Sequence, residues 1–518
     1  MKRFEYKQYK KNIALKTLLV VAILSAPLGF IGYNLRMMDA AASFTFEHEP
    51  DPASFFSLNE TELSAAVDEL AVLYAKYHMP LNQNVALLFG NDPGEGGIKD
   101  SYANISGYIH SDNHALWTGI DYVGWVYQYL AAQQEEDSVR EEFALNVLLN
   151  LTTGMAKLMK VPNGGLGPDY GGVLARGYAP PDAQEIWPEI FEDKFKHANG
   201  TGQYSDWRYR GYTSNDEFAG YYLFLAIATR YLRHIEYIEE KVSLIVDQIC
   251  FNMLADNFQA IHTTGATTGA DQNPLMFHGG FWIPLLLKLG AIYHPEKYER
   301  LYYHHVANEM IYLSNQEGSR TTVLGSYYPY NFEICIILGF LLIEDPGTTI
   351  WQHYFQGYLD THWKFTRHHR NAWFNAIFLL ILHENGLMDT NLGENLDIIS
   401  LDVQDQLQRL YNQHYPMYRR PTIELPEEYR VLSPEEILSE LGIGEELKDV
   451  LGMGNHQYTN KPMTAEYIRP RRWFWNRNPF HVIEHQGNIR HMEAGSSLFV
   501  PYWLLRYLGE IQGGELQL

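Results

Sequence analysis

The chain has 518 residues, of which 46% are hydrophobic and 14% aromatic, with 37 Tyr and 11 Trp, enough apolar material for a large buried core. A formal net charge of −23 repels phosphate backbones and argues against nucleic acid as a partner. The only two cysteines, Cys250 and Cys335, allow no disulfide framework beyond one bridge and show no metal-type spacing; two separate buried thiols are expected.

Residues 1–16 are basic, residues 17–33 are almost wholly apolar, and Arg36 follows. A basic flank before an apolar run is the export pattern, with the positive end retained in the cytoplasm. The first 36 residues hold seven basic residues against one acid, so the remainder is six units more negative than the whole. The apolar run is long for a signal-peptide core and short for a membrane span. Residues 1–36 are therefore read as an uncleaved signal anchor contacting the membrane, with cleavage after a signal peptide near Ala40, Ala41 and Ala42 as the alternative. Either places the body outside the cytoplasm, in the periplasm or at the cell surface, or secretes it. Residues 37–60 read as an irregular linker and residues 61–518 as one domain.

Within that domain, apolar residues at helical spacing and capping signals predict helices at 61–78, 115–133, 137–160, 216–232, 235–257, 281–293, 295–315, 330–343, 348–365, 371–384 and 401–415. A short helix at 434–440, another near Glu445 and a closing segment at 473–511 complete the chain. Residues 80–111, 161–215 and 258–280 read as long loops, and loops of that length in a compact body are usually functional. No stretch alternates with period two, so little strand is expected, and no fixed-period repeat marks a solenoid.

Six times a loop rich in Trp, Tyr, His, Asn and acid runs into an apolar helix: at 112–117, 213–217, 278–282, 327–331, 368–371 and 473–476. Between most of these lies a helix with a plainer start. In a ring of helical hairpins alternate helices point the same way, so the six entries would meet at one mouth. The expected fold is all-α, a closed (α/α)6 toroid of helical hairpins.

The stretches 112–129, 164–176, 213–222, 327–344, 370–380 and 493–507 resemble the six-hairpin, (α/α)6-toroid class of glycosidase-like proteins. More narrowly they resemble secreted bacterial members of that class without an assigned function. The resemblance is spread over most of the chain after residue 60. It implies the toroid and a carbohydrate or other small ligand. It implies no single reaction, because the class holds hydrolases, lyases, epimerases and isomerases.

Asp216 and Glu217 are the leading catalytic candidates. Adjacent positions on a helix diverge by about 100°, so one carboxylate can cap while the other faces the mouth. Phe218, packed on a carboxyl group, would raise its pKa toward general-acid use. Asp121 is the third candidate, on one helix face with His114 and Trp117; with Asp112 these form a second cluster. The structural alternatives are a helix cap for the first group and a buried polar network for the second. One carboxylate from each cluster flanking a glycosidic bond would give a hydrolase. Arg176 can clamp a carboxylate or hydroxyls. His278, Tyr330, Asn331, Asn371 and Trp475 stand at later helix entries as substrate-binding candidates, with Arg370 beside them. Tyr330, His278 and Arg176 form the alternative set for a lyase or epimerase acting on a uronate, and a non-catalytic envelope glycan-binding protein is the third reading.

No metal site is expected: HExxH and CxxC are absent, and the adjacent pairs His304-His305 and His368-His369 point to different helix faces. Asn91, Asp92, Glu95 and Asp100 can bind calcium but lack EF-hand spacing. No Walker loop, GxGxxG after a strand or GxSxG elbow appears, so no cofactor is expected.

Overall fold

A computed structural model describes residues 49–90, 102–109, 113–272, 279–307, 327–414, 425–440, most of 442–467, 478–482, 491–492 and 496–516. It is mostly helical, 61% helix against 9% strand, as the period-3.6 patterning requires.

The Asn59 side chain accepts the Glu62 amide at 3.3 Å and starts α1, Glu60–Leu73, which continues through a π-helical turn, Tyr74–His78. The following helices are α2 His114–Gln134, α3 Ser138–Asn163, α4 Asn215–Tyr231, α5 Glu236–Ala255, α6 Gly279–Tyr293 and α7 Pro295–His305. Then come α8 Tyr328–Ile343, α9 Thr349–Tyr358, α10 Ala372–Glu384, α11 Leu396–His414, α12 Pro434–Glu440 and α13 Ser496–Tyr507. Between α9 and α10 the chain stays helical through a π turn at Leu359–Trp363 and a last α turn at Lys364–Thr366.

Two kinds of helix alternate. In α8 every residue from Tyr330 to Leu342 is buried, and in α10 every residue from Ala372 to Leu382. In α5 burial follows a stripe, Ile238, Val242, Ile245, Val246 and Ile249. Helices apolar all round lie inside, and helices with one apolar stripe lie outside. The contacts of the inner set run from α2 to α4, α6, α8, α10 and α13 and return from α13 to α2; α4 also packs directly on α8. Outside them α3 lies on α2, α5 on α4 and α6, α7 on α6, α9 on α8, α11 on α10 and α13, and α1 on α13.

The closest of these packings is α2 on α4. A Cβ on Gly119 would stand 1.9 Å from the Gly220 carbonyl oxygen, and one on Gly220 would stand 2.4 Å from that of Leu116. Only glycine permits this approach, and it aligns the first turn of α4 with that of α2.

Strands occur as short pieces: β1 Ala86–Phe89, β2 Ile105–Ile109, β3 Gly177–Ala179, β4 His197–Asn199, β5 Arg208–Arg210, β6 Gln259–Ile261 and β7 Thr267–Asp271. Near the C-terminus lie β8 Val431–Leu432, β9 Gln457–Thr459, β10 His481–Val482 and β11 His491–Met492. They form antiparallel sheets in the orders β11–β1–β2, β3–β5–β4, β10–β9–β8 and β6–β7.

Several expectations need correction. The supposed loop at 161–215 holds the β3–β5–β4 sheet, whose three-residue strands are too short for alternation to register. In the closing segment, residues 478–482 are turn and β10 rather than helix following the entry at 473–476, and the helix runs from Ser496. Helix α11 begins at Leu396, five residues before the predicted start. Helix α7, Pro295–His305, continues helically to 307, and the rest of the expected helix, 308–315, lies outside the described residues.

The end of the predicted linker is irregular but not free. The Phe56 amide donates to Asp405 (2.7 Å), the Asn59 amide to Gln408 (2.7 Å), and Arg409 donates to the Ser54 carbonyl (2.8 Å). Cys250 and Cys335 are separate buried thiols. Among the described residues no helix is long and apolar enough to cross a membrane, and the expected anchor at 1–36 lies outside them.

The glycine contact yields a prediction. Gly119→Ala should lower unfolding stability by about 3 kcal/mol, because backbone, not a flexible side chain, occupies the space a methyl group needs. Gly107→Ala, where a Cβ meets nothing within 4 Å, is the matched control in the same denaturant titration. Equal midpoints for the two variants would refute the close contact.

Candidate functional site at the helix entries

The first amides of any helix need outside acceptors. Asn113 precedes α2 but does not cap it, because its side chain is engaged sideways: Oδ1 accepts from Arg176 Nη1 (2.9 Å) and Nδ2 donates to the Tyr328 hydroxyl (3.0 Å). The cap comes from another helix. Glu217, in the first turn of α4, accepts the Ala115 and Leu116 amides on Oε2 at 3.0 and 3.3 Å. The glycine contact between α2 and α4 makes that reach possible.

Arg176, just before β3, organises the rest. Its carbonyl accepts the His114 amide (3.0 Å) and its amide donates to Arg210 (2.7 Å). The guanidinium donates through Nε to the Tyr212 carbonyl (2.9 Å) and through Nη2 to Ser214 Oγ (2.6 Å). Nη1 lies 3.8 Å from Glu217 Oε1. Ser214 donates in turn to Asp216 Oδ1, and the Tyr328 hydroxyl at the start of α8 donates to Asp216 Oδ2 (2.9 Å). The entries of α2, α4 and α8 are thus tied into one polar cluster of Asn113, Arg176, Ser214, Asp216, Glu217 and Tyr328.

The two neighbouring carboxylates differ in environment. Glu217 is fully buried, and burial pushes its carboxyl well above the usual range, aided by the Asp216 charge. Arg176 and the two capping amides oppose that shift. Asp216 is only partly buried and sits between two hydroxyls. It is the carboxylate of this cluster that a ligand can meet.

Asp121 lies inside α2, about 8 Å along the axis from the amides that Glu217 caps. It accepts hydrogen bonds from Asn84 and from Ser496 at the start of α13. Burial raises its carboxyl to about 7, outweighing the Ser496 hydrogen bond. The structure therefore places Asp121 as a buried tie between α2, α13 and the chain before β1. It does not bring Asp121 into the cluster with Asp216 and Glu217.

His114 is buried, its Nδ1 3.4 Å from Gln83 Oε1 and its ring 5.1 Å from that of Trp187. Trp117 is nearly buried on the same helix. Tyr330 is fully buried and faces His362 and His369, and its carbonyl accepts from His362 (2.9 Å). Asn331 donates to the Tyr327 carbonyl (3.0 Å). Asn371 caps α10 by accepting the Trp373 and Phe374 amides at 3.0 and 3.4 Å. Asn331 and Asn371 bond within their own helix starts, and neither Tyr330 nor Asn331 makes a hydrogen bond to Asp216 among the described residues. Arg370 turns away as well, pairing with Asp402 and Asp405. Asp112, His278 and Trp475 lie outside the described residues, as do Asn91, Asp92, Glu95 and Asp100. Among the described residues no group of three or more His, Cys, Asp or Glu side chains is placed to hold a metal ion.

The sequence singled out Ser214 only as a helix cap, which its side chain does not form, and gave Asn113 and Tyr328 no site role. Each belongs to one of the polar-aromatic entries, so the signal was present, but the position within the entry that faces the cluster was not. Tyr328 opens α8, whereas Tyr330 is two residues on and turned about 200° around the helix.

Compared with family models, curated proteins and solved structures, the chain matches none.

Two predictions test the roles of the buried carboxylates. Glu217→Ala should cost about 1–3 kcal/mol of unfolding stability by orphaning two helix amides, with Glu217→Gln intermediate. A fully stable alanine variant would remove the cap interpretation. Asp121 holds its proton to about pH 7 in the fold, against about 4 unfolded, so its contribution is present at low pH and lost as pH rises between these values. Relative to Asp121→Asn, the wild type should lose about 1.4 kcal/mol per pH unit across that window. Parallel stability curves from pH 4 to 8 would contradict the shift.

Proposed function

We propose that α1–α11 and α13 form an (α/α)6 toroid, with α2, α4, α6, α8, α10 and α13 as its inner helices, and that the chain is a carbohydrate-active enzyme with its site at the inner helix entries. The packing order, which returns from α13 to α2, supports the toroid. The observation that carries the site is Asp216, partly exposed and held between the Ser214 and Tyr328 hydroxyls where three inner helices begin.

Such a carboxylate, oriented on both oxygens, is suited to moving a proton at a sugar hydroxyl or glycosidic oxygen. Glycoside hydrolysis is the leading reaction, with Asp216 meeting the substrate and Glu217 beside it, a carboxyl that burial pushes well above the usual range. The Tyr328–Asp216 hydrogen bond specifically favours a second reading, elimination or epimerisation, in which the phenol and the carboxylate share the proton. Residues 1–36 would anchor the enzyme and hold its body outside the cytoplasm.

A glycan array probed with the full chain, followed by mass spectrometry of every bound glycan, tests the proposal. Hydrolysis adds the mass of water across the products, elimination leaves unsaturated products of unchanged total mass, and epimerisation changes no mass. Asp216→Asn should lower turnover about 10²–10⁴-fold with binding retained. Tyr328→Phe should do the same only under the elimination or epimerisation reading. Bound glycans unchanged in both mass and configuration, the latter read by nuclear magnetic resonance, would make this a binding protein, and no bound glycan at all would overturn the proposal.

A further inference from the structure

Beside the Asp216 cluster lies an aromatic surface that the site chemistry does not use. It is assembled from three separate places: Phe195 and Lys196 before β4, Gly211 and Tyr212 after β5, and His262 in the turn between β6 and β7. The Phe195 ring is parallel to that of His262, 5.9 Å apart at an interplanar angle of 3°, and lies 5.4 Å from the Tyr212 ring. His262 and Tyr212 are 5.7 Å apart. One side of Phe195 is therefore backed by histidine, yet the residue is 74% exposed, the highest value among the large exposed hydrophobics of the described residues. A phenylalanine this open adds little to the core and leaves one ring face accessible to a ligand.

The chain takes trouble to hold this surface still. Tyr212 adopts the left-handed region at φ 61°, where a non-glycine residue is strained, and the Arg176 guanidinium fixes its carbonyl. Strain held at one residue by a buried arginine marks a functional position. Arg176 also holds Ser214, which holds Asp216, so the aromatic surface and the carboxylate are set by one side chain. Gly211 donates to the Lys196 carbonyl (2.7 Å), and a Cβ on Gly211 would stand 3.3 Å from His262 Nε2. That nitrogen is buried and has no hydrogen-bond partner, while Nδ1 is engaged by Thr263 Oγ1 at 2.9 Å. His262 is only 5% exposed, so it serves as a fixed backing for the Phe195 ring.

Charge narrows the ligand. Lys194 and Arg208 nearby are paired with Glu192 and Asp193. Lys196 lies 5.6 Å from the Tyr212 ring centre and is ion-paired to no described carboxylate. In a chain of net charge −23, an ammonium without a described carboxylate partner beside an exposed aromatic ring favours a local negative group.

Building on the carbohydrate reading of the Asp216 cluster, we propose that Phe195, Tyr212 and His262 form a stacking subsite for one ring of a carboxylated glycan. The outer face of Phe195, backed by His262 and flanked by Tyr212, takes the apolar face of the sugar, and Lys196 takes the carboxylate. The substrate class is thus a uronate-containing polysaccharide.

Calorimetry on the full chain in detergent tests this with oligomers of galacturonate, mannuronate and glucuronate, each as the free acid and as its neutral methyl ester. The acid should bind more tightly than its ester. Phe195→Ala should weaken both by about tenfold without changing the circular dichroism spectrum. Lys196→Gln should leave the ester unchanged and abolish the preference for the acid. Unchanged binding in both variants overturns the subsite while leaving the Asp216 reading intact, as does array binding confined to neutral glycans. A Phe195→Ala loss without any Lys196→Gln effect overturns the carboxylate selection. Absence of binding to every glycan, on the array and here, removes both proposals together.

Discussion

The cap that Glu217 places on α2 is the interaction on which the candidate site depends. A fully buried carboxylate is costly unless charge and hydrogen bonds surround it. Here the positive end of a helix, two of its amides and a guanidinium do so. The reach exists only because Gly119 and Gly220 let α2 and α4 touch backbone to backbone. Asn113 is thereby released from capping and turned toward Arg176 and Tyr328. Arg176 then fixes Tyr212, Ser214 and, through Ser214, Asp216.

A second arginine-centred network ties the start of α10 to α11. Arg370, held at φ 55°, bonds Asp402 and Asp405, and Arg409 bonds Asp405 and Glu466. Phe55 and Phe56 lie on the two guanidiniums, 4.9 and 4.0 Å from the ring centres. Buried ion pairs of this kind add little net stability, but they reject alternative packings because each lost partner strands a charge. The pairing fixes where residues 51–59 join the body, against α11.

Much of the helical framework was legible in the sequence because helix patterning is local. The stretches behind α2, α4, α8 and α10 are apolar on every face, and their boundaries were readable to within two residues. The β3–β5–β4 sheet was not legible, since strands of three residues carry no period and are held by pairing across the insertion. The start of α13 at Ser496 was missed because the aromatic run at 473–476 imitates the other helix entries.

The residue types of the site were also written in the sequence: Asp216 and Glu217 at one entry, Arg176 after a glycine-rich loop and a tyrosine-rich entry before α8. Composition and periodicity determined that the chain would be helical and acidic, with polar-aromatic helix starts. Tertiary structure alone decided which members of each entry meet. It put Glu217 under α2 as a cap, left Asp216 open between two hydroxyls, drew Tyr328 rather than Tyr330 to it, and kept Asp121 apart with Asn84 and Ser496. The physical reason is that capping, hydrogen bonding and close glycine contact join residues about 100 positions apart, and no local pattern encodes which of two adjacent side chains will find such a partner.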